Sequence, residues 1–117
     1  MARDAALATL VADLLAPLEG VTVRRMFGGH GVFKSGLMFG LIADGLLYLR
    51  TDDLNRRSFE DAGLEQFVYT IRGRAVAMPY HRAPDAGLDD PDLLCAWARE
   101  AHAAALRQKR SVRRDRR

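Results

Sequence analysis

The stretch RRMFGGHGVFKS, residues 24–35, decides between two folds. Its glycines and the Lys34-Ser35 pair partly match the phosphate-loop pattern GxxxxGK[ST], which would indicate a nucleotide-binding enzyme. Phe33, however, stands where that pattern requires its second glycine. An apolar, extended run follows, where a phosphate loop would open a helix whose N-terminus faces the anion. The stretch therefore predicts a bend between two neighbouring β-strands.

Tight turns are predicted where glycines interrupt the apolar runs, since glycine reaches backbone angles closed to other residues. The predicted turn glycines are Gly28, Gly29, Gly31, Gly36 and Gly45. Asp44-Gly45 is the strongest hairpin signal, because it separates the apolar runs 37–43 and 46–50. Lys34-Ser35 is predicted to form an exposed hairpin tip. In the strand 21–27, Arg25 shares the parity of Val21 and Val23, so a bulge is expected near Arg24-Arg25.

Working outward, apolar residues at three- and four-residue spacing predict a helix over 4–18 and another from Pro91 onward. A short helix is expected over 52–62, and a second hairpin joins 67–71 to 75–80. The order is α-β-β-β-(β)-α-β-β-α. Short hairpin connections imply antiparallel pairing, so we predict an α+β fold with a single antiparallel sheet of five to six strands packed with helices.

Charge separates the chain into two parts. Residues 107–117 hold seven Lys or Arg and one acid, a net charge of +6, so the other 106 residues carry −3 of the total of +3. We expect an α+β domain over 1–107 and a basic, disordered tail over 108–117. The basic residues of this region are Arg107, Lys109, Arg110, Arg113, Arg114, Arg116 and Arg117. They fit a solubilising tail or a sequence-tolerant contact with nucleic acid.

Six motifs spread over most of the chain share the order and spacing of one known family. They are RRMFGGHGVF, GLMFGLIADGLLYLRTDDLNR, FEDAG, FVY, AVAMPYHRAP and LDDPDLLCAWAREA. Together they resemble the TfoX/Sxy N-terminal domain, from about residue 20 to about residue 107. The resemblance implies a curved antiparallel sheet, similar to that of type III secretion chaperones, and no catalytic residues. It also implies regulation of natural competence together with a transcription activator. Longer members carry a second, helix-hairpin-helix-like domain, so we expect a stand-alone N-terminal module.

A cluster of basic and apolar residues is the candidate binding surface. Arginines within a strand are costly unless they are solvated or paired, so they indicate either a solvated face, paired with Asp44 or Asp52, or a surface for an acidic partner or phosphate. The candidate residues are Arg24, Arg25, Met26, Phe27, Lys34 and Arg50.

Other reactive side chains have simpler interpretations. His30, His81 and His102 lie too far apart in sequence to suggest a metal site, and no cofactor is expected. Cys95 fits a buried apolar position. The pairs Asp52-Asp53 and Asp89-Asp90 precede helices, where carboxylates serve as caps. The serines that could act as nucleophiles have no partner residues nearby in the sequence; they are Ser35, Ser58 and Ser111.

These observations leave three hypotheses of function. The first is a non-enzymatic interaction module that acts through a protein partner, as a monomer or a homodimer. The second is nucleic-acid binding through the basic tail, and the third is a small enzyme of unknown reaction. No run of about 18 uncharged apolar residues occurs, so no membrane association is expected. The single cysteine suits a reducing compartment, and we expect a cytoplasmic protein.

Overall fold

The computed structural model describes residues 2–26 and 28–115, which form three α-helices and six strands. The helices are α1 (Ala2–Leu14), α2 (Arg56–Asp61) and α3 (Pro91–Asp115). The strands are β1 (Val21–Met26), β2 (Gly29–Lys34), β3 (Leu37–Ala43), β4 (Leu46–Arg50), β5 (Gln66–Ile71) and β6 (Arg74–Arg82). Two 3₁₀ turns lie at Ala16–Leu18 and Asp85–Asp89. Within this described part, no helix is both long and apolar enough to cross a membrane.

All six strands belong to one antiparallel sheet with the spatial order β1-β2-β3-β4-β6-β5. Helices α1 and α3 pack on one face of this sheet, and the side chains between them form the hydrophobic core. Fully buried members of the core include Val11, Leu15, Phe39, Leu49 and Leu94. The predicted α+β class and the order of helices and strands are confirmed.

Three hairpins close through two-residue turns in which both residues adopt left-handed backbone angles. These turns are Ser35-Gly36, Asp44-Gly45 and Arg72-Gly73, with φ between 51° and 82°. Two left-handed residues define the turn whose twist matches that of the flanking strands. The hairpin predicted at Asp44-Gly45 is therefore confirmed, and so is the turn role of Gly36 and Gly45.

Two of the predicted turn glycines were assigned wrongly. Gly28 lies in the β1–β2 turn with φ of 79°, but Gly29 and Gly31 lie within strand β2. A Cβ atom on Gly29 would stand 2.3 Å from the carbonyl oxygen of Ile42. A Cβ atom on Gly31 would stand 2.6 Å from the sulfur of Met26. These two glycines are needed for close packing, and not for a turn.

The bulge expected near Arg24-Arg25 is absent, since β1 pairs with β2 without interruption from Val21 to Met26. The register shifts between β2 and β3 instead, where Phe39 is the extra residue on β3. Arg25 does have the parity of the core face, and it is exposed because β1 is an edge strand. The edge position lets the guanidinium reach water without a bulge.

The predicted disorder after residue 107 differs from the structure over 108–115. Helix α3 continues to Asp115 without a break. Arg, Gln and Lys make up five of these eight residues, and all three are good helix formers. Arg116 and Arg117 lie outside the described residues. That this basic segment functions separately from domain 1–107 stays a prediction.

Candidate protein-interaction surface

The sheet face turned away from α1 and α3, here called the open face, carries a groove of about 710 Å³. Side chains from β1 and β3 line one part of the groove, and side chains from the β5–β6 hairpin line the other. The apolar lining includes Met26, Met38, Leu41, Phe67, Val68, Tyr69 and Met78. Residues from nearly the full width of the sheet thus border one concavity, as in the curved sheet that the resemblance implied.

Strand β3 shows how this sequence produces two apolar faces. Its residues are nearly all hydrophobic, and the extra residue Phe39 shifts the alternation of side chains between the two faces of the strand. Phe39 and Ile42 are buried in the core under the helices. Met38 and Leu41 point into the groove on the open face. Because this run does not alternate apolar with polar residues, β3 has an apolar side buried in the core and a second apolar side on the open face.

Two arginines of the open face stack on aromatic rings. The guanidinium carbon of Arg24 lies 4.2 Å from the ring centre of Phe33, and that of Arg50 lies 5.6 Å from the ring centre of Tyr80. Phe33 and Tyr80 are buried although they do not belong to the helix-side core. The Nε atom of Arg50 is buried and has no hydrogen-bond partner among the described residues. A stacked guanidinium keeps N–H donors directed outward, and a carboxylate or phosphate could accept from them.

Five of the six predicted binding residues lie in the described part of the chain, and they divide between the two faces. Arg24, Met26 and Arg50 lie on the open face. Arg25 belongs to the opposite face by strand alternation. Phe27 lies outside the described residues. The structure thus brings only part of the predicted cluster together.

Lys34 was predicted at an exposed tip, and this was wrong. Its ammonium donates hydrogen bonds to the backbone carbonyl oxygens of Leu18 and Glu19, each at 2.7 Å. These carbonyls end the 3₁₀ turn Ala16–Leu18, and a helical C-terminus leaves its last carbonyls unpaired and attracts cations. Lys34 therefore fastens the α1–β1 connection to β2, and Ser35-Gly36 forms the turn.

Aromatic rings extend the groove toward the β5–β6 hairpin. The ring centres of Tyr48 and Phe67 are 4.7 Å apart, and those of Phe67 and Tyr69 are 6.4 Å apart. Burial raises the pKa of the Tyr48 hydroxyl above its usual value. Tyr69 is half exposed, so the row of rings begins in the packed sheet and ends in solvent. Rings in this arrangement provide rigid contact area at the hairpin end of the groove.

The histidines and the cysteine have structural environments. His81 is buried, its Nδ1 lies 2.9 Å from the Thr51 hydroxyl, and burial lowers its pKa. Burial also lowers the pKa of His102 and raises that of the Cys95 thiol. The Nδ1 atom of buried His30 finds no partner in the described chain. Across residues 2–26 and 28–115, no three His, Cys, Asp or Glu side chains are grouped to hold a metal ion.

The acidic pairs form caps and ion pairs. Asp90 caps α3, since its Oδ1 accepts a hydrogen bond from the Leu93 amide at 3.2 Å. Asp52 accepts from Arg107, so the expected pairing of Asp52 with the β1 arginines is wrong. Asp53 pairs with Arg56. Ser58 borders a second concavity, of about 220 Å³, between α2 and α3.

The basic end of α3 presents fewer free charges than the sequence suggested. Arg107 is held by Asp52 at 2.6 Å, on the body of the domain. Exposed basic side chains follow at three- and four-residue spacing along the helix: Lys109, Arg110, Arg113 and Arg114. The helix therefore places these four charges close together along one side of its C-terminal end.

Sequence reasoning missed most of the groove. Met38, Leu41, Phe67 and Met78 were not proposed as binding residues, although they line it. Two signals could have identified them. The run 37–43 lacks polar alternation, and the run 66–71 contains no charged residue on either face. A strand that is apolar on both sides in a sheet with helices on one side must expose one apolar face.

The comparisons with known proteins agree with the fold. The chain matches the TfoX N-terminal domain over residues 13–105. It is similar to the DNA transformation protein TfoX1 of Aliivibrio fischeri (strain ATCC 700601 / ES114), with 32% identity over 78 residues, or 67% of this chain. The matched region spans 37% of that relative's length. The chain belongs to the TfoX N-terminal domain family.

Proposed function

We propose that this domain is a non-enzymatic interaction module that regulates competence or transcription by binding a protein partner, a transcription activator, through its open face. Membership of the TfoX N-terminal domain family supports this proposal, and so does the name of the relative, a DNA transformation protein. The observation that carries the proposal is the apolar groove of about 710 Å³ on the sheet face that also carries two arginines stacked on aromatic rings. A cytoplasmic location is part of the proposal, since Cys95 is a free, buried thiol.

The chemistry of the groove selects an acidic, amphipathic segment as its occupant. Met26, Met38 and Met78 supply flexible, polarisable side chains that adapt to an apolar partner face. Arg24 and Arg50 supply donors for the partner's carboxylates. The terminal N–H groups of a stacked guanidinium stay free to donate hydrogen bonds to such a carboxylate.

The test compares two leucine variants expressed from the native locus. Leu41→Glu puts a charge inside the groove, whereas Leu54→Glu changes a leucine that is 73% exposed and lies outside it. Burying an unpaired carboxylate is costly, so Leu41→Glu should lower transformation frequency and the dependent transcripts by on the order of tenfold or more. Leu54→Glu should behave as wild type. Circular dichroism checks that both variants are folded.

Three results would count against the proposal. If deletion of the gene leaves transformation frequency and transcript levels unchanged, the regulatory role is excluded. If deletion of the gene lowers transformation but the Leu41→Glu variant transforms as well as wild type, the groove has no part in the regulatory role. Equal losses in both leucine variants would show a general effect of surface charge.

Nucleic-acid binding through the end of α3 is a second candidate, favoured by the helical arrangement of Lys109, Arg110, Arg113 and Arg114. With Arg107 engaged by Asp52, six basic residues remain in 108–117, which gives a salt slope of about −5 on duplex DNA. Changing the four named residues to alanine should reduce this slope by about 4. Binding that keeps its affinity and its salt slope in this variant would exclude the helix end as the contact.

A further inference from the structure

We propose that strand β5 pairs antiparallel with β5 of a second copy of this chain, so that two sheets join edge to edge. This proposal is independent of the regulatory role proposed above. It concerns the outer edge of the sheet, where Val68 and Tyr69 of β5 also border the end of the groove.

The two edges of the sheet differ in charge. Edge strand β1 carries the adjacent, exposed residues Arg24 and Arg25, and charged side chains on an edge oppose pairing with another strand. Edge strand β5 has the sequence QFVYTI, which contains no charged residue and no proline. The register shift beside Gln66 places its extra residues on β6, where Pro79 lies, so β5 itself is unbroken. The β5 edge therefore lacks the usual protection.

Exposed apolar side chains concentrate on the same hairpin. Of the seven large hydrophobic residues exposed in the described part of the chain, four lie on β5 or β6. They are Val68 at 52%, Tyr69 at 51%, Ile71 at 46% and Val76 at 38% exposure. Singly scattered apolar residues are ordinary on a surface, but a contiguous group marks an interaction site.

Charge complementarity identifies a second copy as the occupant. The tip of the hairpin is basic through Arg72 and Arg74, and its base is acidic through Glu65, which immediately precedes β5. Antiparallel self-pairing puts the basic tip of each copy beside the acidic base of the other. Parallel pairing would put tip on tip and base on base, and like charges facing each other are destabilising.

The register follows from symmetry. A two-fold axis between antiparallel strands stands perpendicular to the sheet, so paired residues have the same parity. Centring the axis on Tyr69 puts Phe67 opposite Ile71 and Val68 opposite Thr70 of the other copy. Aromatic and β-branched residues are favourable cross-strand partners. Centring on Val68 would instead put Ile71 opposite Glu65, an apolar residue against a charge.

This geometry has a consequence for the groove. An axis perpendicular to the sheet leaves both open faces on the same side of the dimer. The two grooves then lie on one continuous twelve-stranded sheet, and Phe67 and Tyr69 of each copy stand near the junction. Two linked grooves can bind a partner with two acidic segments more tightly than one groove can.

The first test measures the oligomeric state of the full chain by sedimentation over a range of concentrations. We expect a concentration-dependent dimer. Val68→Lys should raise the dissociation constant of this dimer at least tenfold. Leu54→Lys, at another exposed position, should leave the constant unchanged. Glu65→Arg and Arg72→Glu should each weaken the dimer, and the double variant should restore it. A chain that stays monomeric at all concentrations would overturn the proposal, and so would charge variants whose effects only add.

A cross-linking test reads the register directly. In antiparallel strands, opposite Cα atoms are about 4.5 to 5.5 Å apart, a distance that a disulfide spans. Tyr69→Cys should form an intermolecular disulfide under mild oxidation, whereas Val76→Cys on the inner strand β6 should not. Buried Cys95 contributes no background in the folded chain. Equal cross-linking of the two variants would contradict the proposed axis.

Discussion

Arg107 donates two hydrogen bonds to the carboxylate of Asp52, from Nε to Oδ2 at 2.6 Å and from Nη2 to Oδ1 at 3.0 Å. The same carboxylate accepts from the backbone amides of Leu54 and Asn55, at 3.0 and 3.2 Å. The loop between β4 and α2 is thus fastened to α3, just before the basic end of that helix. A bidentate arginine pair with fixed geometry contributes more than an ordinary surface ion pair.

We predict a measurable coupling between these two residues. In a double-mutant cycle with Asp52→Asn and Arg107→Gln, the coupling in the free energy of unfolding should be about 1 kcal/mol. Their side chains are only 25% and 34% exposed, so solvent screens them incompletely. The exposed pair Arg82–Asp85 is the control, since its carboxylate is 79% exposed, and its coupling should be close to zero. Urea unfolding measures both cycles, and equal couplings would contradict the prediction.

The same pair predicts an acid-dependent loss of stability. The hydrogen bonds from Arg107 are the largest cause that lowers the pKa of Asp52 in the folded chain. Because the pKa of Asp52 is lower in the folded chain than in the unfolded chain, the ionised carboxylate stabilises the fold at pH values above the unfolded pKa of about 3.9. This contribution is lost as the pH falls through the pKa of the folded chain. The stability difference between wild type and Asp52→Asn should therefore be constant from pH 7 to about 5 and shrink below about 4. A difference that grows on acidification would contradict this sign.

The fold was predictable because its decisive signals are local. Asp44-Gly45 demands a hairpin by its own backbone preferences, and Asp90-Pro91 sets the start of α3 by capping. The structural role of Lys34 was not predictable in this way. Its partners are carbonyls sixteen and fifteen residues earlier, and they are free only because a 3₁₀ turn ends there. Gly29 is similar, since its constraint is a carbonyl oxygen on the neighbouring strand.

The candidate surface was only partly predictable, for a related reason. Met26 was identified through its arginine neighbours, and it does line the groove. Met38 and Leu41 face the same groove although they are three residues apart in a strand, where simple alternation would separate them. The extra residue Phe39 lies between them and shifts the parity. A bulge of this kind depends on pairing with β2, which the sequence of β3 alone does not reveal.

A second pH dependence arises from the buried histidines. Burial is the largest cause that lowers the pKa of His81 and of His102 in the folded chain. The unfolded chain therefore binds protons near pH 6.5 while the folded chain does not, so stability falls as pH drops below about 6.5. In His81→Gln, this decrease between about pH 6.5 and 5 should be smaller, as measured by urea unfolding at several pH values.

The double variant with His102→Gln provides the control for the histidine prediction. It should flatten the pH dependence in this range further, because both groups change in the same direction. The loss of the Thr51 hydrogen bond in His81→Gln lowers stability at every pH and does not mimic this change of slope. Stability that rises as wild type is acidified from pH 6.5 to 5 would contradict the assignment.

The turn residue Gly28 and the first residue of β2, Gly29, should respond differently to alanine. Gly28→Ala meets no atom within 4 Å and only strains a backbone with φ of 79°, so it should lower the free energy of unfolding by about 1 kcal/mol. Gly29→Ala puts Cβ 2.3 Å from the carbonyl oxygen of Ile42, a backbone atom that moves only if β2 and β3 separate. That loss should exceed about 3 kcal/mol and leave little folded protein. Thermal and urea unfolding of the two variants, side by side, measure the difference. Equal losses would mean that the backbone angle, and not the close approach of the strands, sets the requirement for glycine at this hairpin.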